Sequence, residues 1–160
     1  MNSLTNAAVL VFFIGLGLFV GGPHVDAETI AASSIPAAEL VQPADLAATL
    51  PSNSGTRPLI LQVGFRKLFD EAHIVGAEYA GPSGESAGLA VLQKRVAKLP
   101  RDSAIVIYCG CCPWSHCPNI AAAFSALRVL GFRNVKVLYV ADNFGTDWIE
   151  KGYRVTRGGS

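Results

Sequence analysis

Three short segments constrain this chain more than any other feature: Leu59–Val63 (LILQV), Ala104–Tyr108 (AIVIY) and Val135–Val140 (VKVLYV). Each is nearly continuous in apolar and β-branched residues. Alternation of apolar and polar residues would signal a strand with one wet face, whereas a short continuous run signals a strand buried on both faces. A sheet covered on both faces is built from parallel strands joined by helical crossovers. The intervening sequence supplies those helices. Leu89–Leu99 places Leu89, Leu92, Val96 and Leu99 on one face and Lys94, Arg95 and Lys98 outside it. A second helix is expected from about Ile120 to Leu130, stopped by Gly131-Phe132. Short helices are read at Ala44–Leu50 and Lys67–Ala72, and a short strand at Ala77–Ala80. The segments 51–58 and 81–88 are rich in Gly, Ser and Pro and read as loops. The expected fold class is α/β, a parallel core sheet flanked by helices, with no internal repeat.

The amino-terminal segment obeys different rules. Ala7 to Gly22 is an apolar run of 16 residues, and no Lys or Arg occurs before residue 28. A spanning helix needs roughly 20 apolar residues, so the run suits the apolar stretch of a signal peptide. Pro23 follows, then Val25-Asp26-Ala27, with small residues where a signal peptidase reads. Residues 1–27 are therefore expected to be a signal peptide cleaved after Ala27, residues 28–37 a linker and residues 38–157 the folded domain. The uncharged start leaves an uncleaved membrane anchor as the alternative, the one case in which a membrane is a partner. The first cysteine is Cys109, so no cysteine is available for acylation near the cleavage site. Export, to a periplasm or the exterior, is the expected localisation. With 13 Lys+Arg against 12 Asp+Glu, the chain lacks the basic face that nucleic-acid binding requires.

All four cysteines fall in one stretch, Cys109-Gly110-Cys111-Cys112-Pro113-Trp114-Ser115-His116-Cys117. Structural cysteines scatter; four together, after a strand and before a helix, point to chemistry. In open α/β sheets ligands bind beyond the carboxyl ends of the strands, and the next helix directs unpaired N–H groups towards an anion there. A thiolate in such a loop is expected to have a lowered pKa, and the thiolate is the reactive form.

From about Ala38 to Val155 the chain resembles a single-domain rhodanese, a sulfurtransferase-like fold. Leu59–Val63 resembles the first core strand of that family, and Phe69-Asp70-Glu71-Ala72-His73-Ile74-Val75-Gly76-Ala77 its phenylalanine and His-Ile-Pro-Gly-Ala signature. Ile105–Cys109 is similar to the strand that delivers the catalytic cysteine. Leu130-Gly131-Phe132, Val135–Tyr139, Asn143–Trp148 and Gly152–Val155 resemble the closing elements. Two departures stand out. Gln62 and Gly64 replace the usual Asp and Arg, and the cysteine loop contains no Arg or Lys to hold a dianion such as thiosulfate.

The resemblance designates Cys109 as nucleophile of a thiosulfate:acceptor type sulfurtransferase that needs no cofactor. Cys109 would take a sulfane sulfur from a small donor, hold it as a persulfide and release it to a thiol acceptor. Cys111, Cys112 and Cys117 are then relay or disulfide-forming thiols, and four cysteines allow three complete pairings. A thiol-reducing partner protein would keep them reduced. Gly110, Trp114, Ser115, His116 and Asn119 are the expected pocket residues, while His73 is expected to be a structural histidine in its turn.

Two other chemistries remain open on the same loop. Cys109-Gly110-Cys111-Cys112 is formally a C-x-x-C, the motif of thiol–disulfide exchange, but no proline follows Pro118 to face it as in a thioredoxin-like fold. Cys109, Cys111, Cys112, His116 and Cys117 are alternatively a soft-metal or metalloid site. A cysteine phosphatase is excluded, because its C-x5-R pattern would need Arg where Ser115 stands.

Overall fold

The computed structural model describes residues 35–50 and 57–158. The expected signal peptide, most of the expected linker and residues 51–56 of the first loop lie outside the described residues.

The three apolar runs form strands, flanked by two-residue strands and helices. In chain order these are β1 (Leu40–Val41), α1 (Pro43–Thr49), β2 (Leu59–Gln62), α2 (Arg66–Glu71), β3 (His73–Ile74) and β4 (Glu78–Tyr79). Then come α3 (Ser86–Val96), β5 (Ile105–Tyr108), α4 (Pro118–Val129), β6 (Val135–Leu138) and β7 (Val155–Thr156). The main sheet has five strands in the order β1-β6-β5-β2-β4, all parallel as expected. Leu61 pairs with Ile107 and Ile107 with Val137, which brings the ends of the three long strands level. The two-stranded β3–β7 pair is antiparallel and ties the chain's tail to the turn after α2.

Burial on both faces accounts for the continuous apolar runs. Leu61, Ile105, Ile107, Val135 and Val137 pack with Leu92 and Val96 of α3 and Ile120, Ala123 and Leu127 of α4. Ile60, Val106, Tyr108 and Leu138 point the other way, against Leu46 of α1, Phe69 of α2 and Phe144 and Trp148 of the tail. Trp148 sits in a single wide turn, Gly145–Ile149, and donates its indole N–H to the Arg154 carbonyl at 3.1 Å. Aromatic burial of this kind contributes on the order of 2–3 kcal/mol per ring.

The helices depart from expectation at their starts. α3 begins at Ser86, inside the stretch read as a loop, because Gly88 lets the helix lie directly on the backbone of Pro82. α4 begins at Pro118 rather than about Ile120, with proline in the first turn, where its missing N–H costs nothing. His73 takes the structural place expected of it. Its ring lies flat on Phe69 with centroids 3.8 Å apart, and Nδ1 donates to the Phe69 carbonyl at 2.8 Å.

Candidate active site

The sheet fixes Cys109 before the loop begins. β5 runs between β2 and β6, and the Val63 N–H donates to the Tyr108 carbonyl at 2.8 Å, which extends the ladder to the last residue before the cysteine. Gly110 then turns the chain sharply, with φ at +77°, a conformation that glycine adopts without strain. Its carbonyl accepts the Phe144 N–H at 3.1 Å, and a β-carbon there would lie 2.6 Å from Phe144 Cβ. The turn folds the loop back on itself, so that Cys111 Sγ lies 3.0 Å from Cys109 Sγ and 3.1 Å from Cys112 Sγ. Further on, the Trp114 N–H donates to the Ala141 carbonyl at 2.9 Å, and a short 3-10 turn, Trp114–His116, leads to Cys117, the N-cap of α4. The sulfurs of Cys109, Cys111 and Cys117 all lie within 4.8 Å of one another. All four cysteines are free thiols.

Asn119, only 2% exposed in the first turn of α4, holds this cluster. Its Oδ1 accepts the Gly84 N–H at 2.8 Å, which orients the amide so that Nδ2 donates to Cys109 Sγ at 3.3 Å and more distantly to Cys111 Sγ at 3.9 Å. On the opposite side Gly64 leaves room for the sulfur. A β-carbon there would sit 2.8 Å from Cys109 Sγ and 2.9 Å from Gln62 Nε2. Any larger residue at 64 would therefore compete with the Cys109 sulfur for the same space. Gln62 Nε2 donates to the Cys109 carbonyl at 3.4 Å, while its Oε1 is buried without a partner.

Two cavities meet at the loop. The first, about 330 Å³, is lined by Gln62, Tyr108, Cys109, Gly110, Cys111 and Phe144, and its charged lining residues are Glu71 and Arg157. The second, about 590 Å³, is mostly apolar and is bounded by Phe65, Lys67, Leu68, Cys111, Cys112, Pro118 and Asn119. Cys111 is the one cysteine common to both.

Three thiols this close cannot all ionise, and the first charge is shared among them. The thiol lowered in pKa is Cys111, brought down to about 2 by hydrogen bonds donated from Cys109 and Cys117, with smaller help from Cys112 and Asn119. Cys109 is pushed well up, first because its proton is engaged by Cys111 and then by Cys117 and by burial. Cys112 is raised by burial and by Cys111. Cys117 is lowered by the bond from Cys109 but raised more by Cys111 and by burial, so it ends above the ordinary range. The acid thiol expected of the loop is thus Cys111, and Cys109 is its proton donor. The 3.0 Å separation of the two sulfurs lets one proton be shared between Cys111 and Cys109.

The other expected pocket residues divide. Gly110 and Asn119 lie at the cavities, as described. Trp114, expected to be exposed and to line a pocket, is instead half-buried against Tyr139, ring centroids 5.2 Å apart, and lines neither cavity. Ser115 and His116 are exposed, are hydrogen-bonded to each other at 2.8 Å and also line neither. Of the five residues weighed as metal ligands, Cys109, Cys111 and Cys117 converge, while Cys112 and His116 stand outside the group. Phe65, Phe144 and Arg157 were not read as site residues. They reach the loop from distant parts of the chain through the sheet topology, and only the position of Gly64 directly after a core strand marked that side of the site in the sequence.

The chain matches no protein-family model and no curated protein. Among solved structures it is similar to the rhodanese-like domain of the Alr3790 protein from Anabaena sp., with 21% identity over 74% of this chain and 79% of that one and a TM-score of 0.56. It is also similar to the BH2092 protein from Bacillus halodurans, with 20% identity, 73% and 75% coverage and a TM-score of 0.56. A third is RPA3614 from Rhodopseudomonas palustris, described as a protein of unknown function and possible tyrosine phosphatase, with 18% identity, 85% and 100% coverage and a TM-score of 0.55. The fold is rhodanese-like, as the resemblance implied, and it carries a cysteine cluster at the carboxyl end of its central strand.

Proposed function

We propose that this protein is an exported sulfurtransferase or sulfur carrier that forms a persulfide on Cys109. The observation that carries the reading is the placement of one thiol. Cys109 alone of the four is fixed at the end of a central strand; it lines the first cavity and receives the shorter of the two hydrogen bonds from the buried amide of Asn119. Passing its proton to Cys111 frees the Cys109 thiolate to attack the sulfane sulfur of a small donor, whose leaving group departs as an anion. The loop itself offers no cation; Arg157 is the cation lining the cavity, where it lies beside Glu71. The persulfide then passes its sulfur to a thiol acceptor, and a thiol-reducing partner keeps the loop in its dithiol state. Export rests on the apolar run and the small residues ending at Ala27. Among the described residues no helix is long and apolar enough to cross a membrane.

Intact mass of the reduced protein after a sulfane donor tests the assignment. A reducible gain of sulfur, in the native chain or in Cys111→Ser, that is lost when Cys109→Ser is introduced supports it, and uptake unaffected by Cys109→Ser contradicts it. The convergence of Cys109, Cys111 and Cys117 favours a second reading, a soft cation such as Cu(I) held by three thiolates. That reading predicts that Cys109→Ser, Cys111→Ser and Cys117→Ser each weaken metal binding, with none standing apart.

A further inference from the structure

The distance between Cys109 and Cys111 decides what Cys111 can do to a persulfide on its neighbour. A thiolate displaces sulfur from sulfur along a line through the attacked atom and the leaving atom. To take the outer sulfur from Cys109, a second cysteine must lie beyond that sulfur, so the two cysteine sulfurs must stand about 4 Å apart or more, twice a sulfur–sulfur bond. Cys111 Sγ stands 3.0 Å from Cys109 Sγ. It is too near to accept the outer sulfur and is already against the inner one.

We propose that Cys111 resolves the Cys109 persulfide from within, attacking Cys109 Sγ so that the bound sulfur leaves as hydrosulfide and a Cys109–Cys111 disulfide remains. The step rests on persulfide formation at Cys109, the reading given above, and names the product of that same site. Its balance is closed within the protein. The proton that Cys111 took from Cys109 passes to the outer sulfur, the Cys111–Cys109 bond forms, the bond from Cys109 to the outer sulfur breaks, and that sulfur departs as HS⁻. Two thiols are oxidised to one disulfide, and one sulfane sulfur is reduced to sulfide. Leaving-group chemistry agrees with the geometry. Hydrosulfide is the anion of an acid that titrates near neutrality, whereas Cys109 is buried and its thiolate is the poorer leaving group. The first cavity, about 330 Å³ at Cys109, has room for the departing sulfur.

The next turnover needs two electrons from a dithiol. Cys111 is the half of the disulfide that also opens onto the second, apolar cavity, beside the exposed ring of Phe65. A dithiol attacks there, forms a mixed disulfide with Cys111, frees the Cys109 thiolate, and closes to its own disulfide as Cys111 leaves. Sulfur donor and dithiol thus approach one pair of thiols from two different cavities.

The test uses the full chain, reduced and anaerobic, with one equivalent of inorganic polysulfide, and follows intact mass and released hydrosulfide together. Cys112→Ser/Cys117→Ser leaves Cys109 and Cys111 as the only cysteines; it is expected to lose two hydrogens and to release one equivalent of hydrosulfide more than the same variant carrying Cys111→Ser, in which only the donor's own leaving group is freed. Adding Cys111→Ser to that variant, or to the native chain, is expected to halt the reaction at a stable gain of one sulfur. A stable gain of sulfur without that extra hydrosulfide in Cys112→Ser/Cys117→Ser overturns the resolving role of Cys111 and leaves the persulfide reading standing. So does trapping of the persulfide by Cys117→Ser but not by Cys111→Ser. If Cys111→Ser, which retains Cys109 and lacks the resolving thiol, gains no sulfur, the persulfide reading itself falls, and this inference with it.

Discussion

Truncating Asn119 to alanine separates bracing from chemistry at this site. The amide makes two useful bonds, accepting the Gly84 N–H at 2.8 Å and donating to Cys109 Sγ at 3.3 Å. Gly84 is exposed, so water replaces its partner, and that loss is near the net value of one hydrogen bond, about 1 kcal/mol. Asn119 is 2% exposed, and the void left behind adds a comparable amount, so Asn119→Ala is expected to cost about 2 kcal/mol in urea unfolding. The second effect is electrical. A hydrogen bond to a charged acceptor is worth about 1.5–3 kcal/mol, and 1.36 kcal/mol shifts a pKa by about one unit. The thiolate shared by Cys109 and Cys111 should therefore titrate about one pH unit higher in Asn119→Ala. Asn119→Asp keeps the size and the Gly84 bond but turns the donor towards sulfur into an anionic acceptor, so it should raise the titration further. The pH dependence of iodoacetamide alkylation, read by intact mass on reduced protein, gives the order native, then alanine, then aspartate. An unchanged profile in Asn119→Ala beside a lowered urea midpoint would refute the reasoning and reduce Asn119 to a brace for the Gly84 turn.

Three further outcomes are expected. Hydrogen bonds from Cys109 and Cys117 lower the pKa of Cys111 in the folded chain well below the ordinary value of 9.0 that it has in the unfolded chain. Stability of the reduced protein should therefore rise with pH up to that range. It should fall above it, where the raised Cys109, Cys112 and Cys117 stay protonated only in the folded chain. Urea midpoints of native protein minus those of Cys111→Ser isolate the rising limb, and a flat difference would contradict it. Gly110→Ala should cost about 2–4 kcal/mol, since φ is +77° and the added carbon meets Phe144, whereas Gly131→Ala, with φ at +87° but open space, should cost only about 1–2 kcal/mol. Equal losses in denaturant melts would remove the clash from the account. Amino-terminal sequencing of the exported protein should begin at Glu28; a retained Met1 on membranes would overturn the signal peptide.

The sheet was legible because its central strands are buried on both faces, which leaves a continuous apolar run in Leu59–Val63 and Ala104–Tyr108 and no competing helical period. β1, Leu40–Val41, was not legible, because two residues at a sheet edge show no pattern. The start of α3 was hidden because Gly88, read as a loop residue, is there for close packing on Pro82. Within the site the cysteine loop announced itself, but its inner geometry did not. The 3.0 Å approach of Cys111 to Cys109 follows from the turn at Gly110, and that turn is held by Phe144, 34 residues downstream. Trp114 packs on Tyr139, the residue after β6, an aromatic partner 25 residues further along the chain. Which of four neighbouring thiols is buried, and which carries the charge, is a property of the fold around them.

The most direct measurement locates the sulfur itself. Full-length Cys111→Ser, reduced and treated with one equivalent of polysulfide, is alkylated, digested and fragmented, so that the extra sulfur is assigned to a single residue. The account predicts that it is found on Cys109. Its presence on Cys112 or Cys117, with Cys109 unmodified, would contradict the central claim.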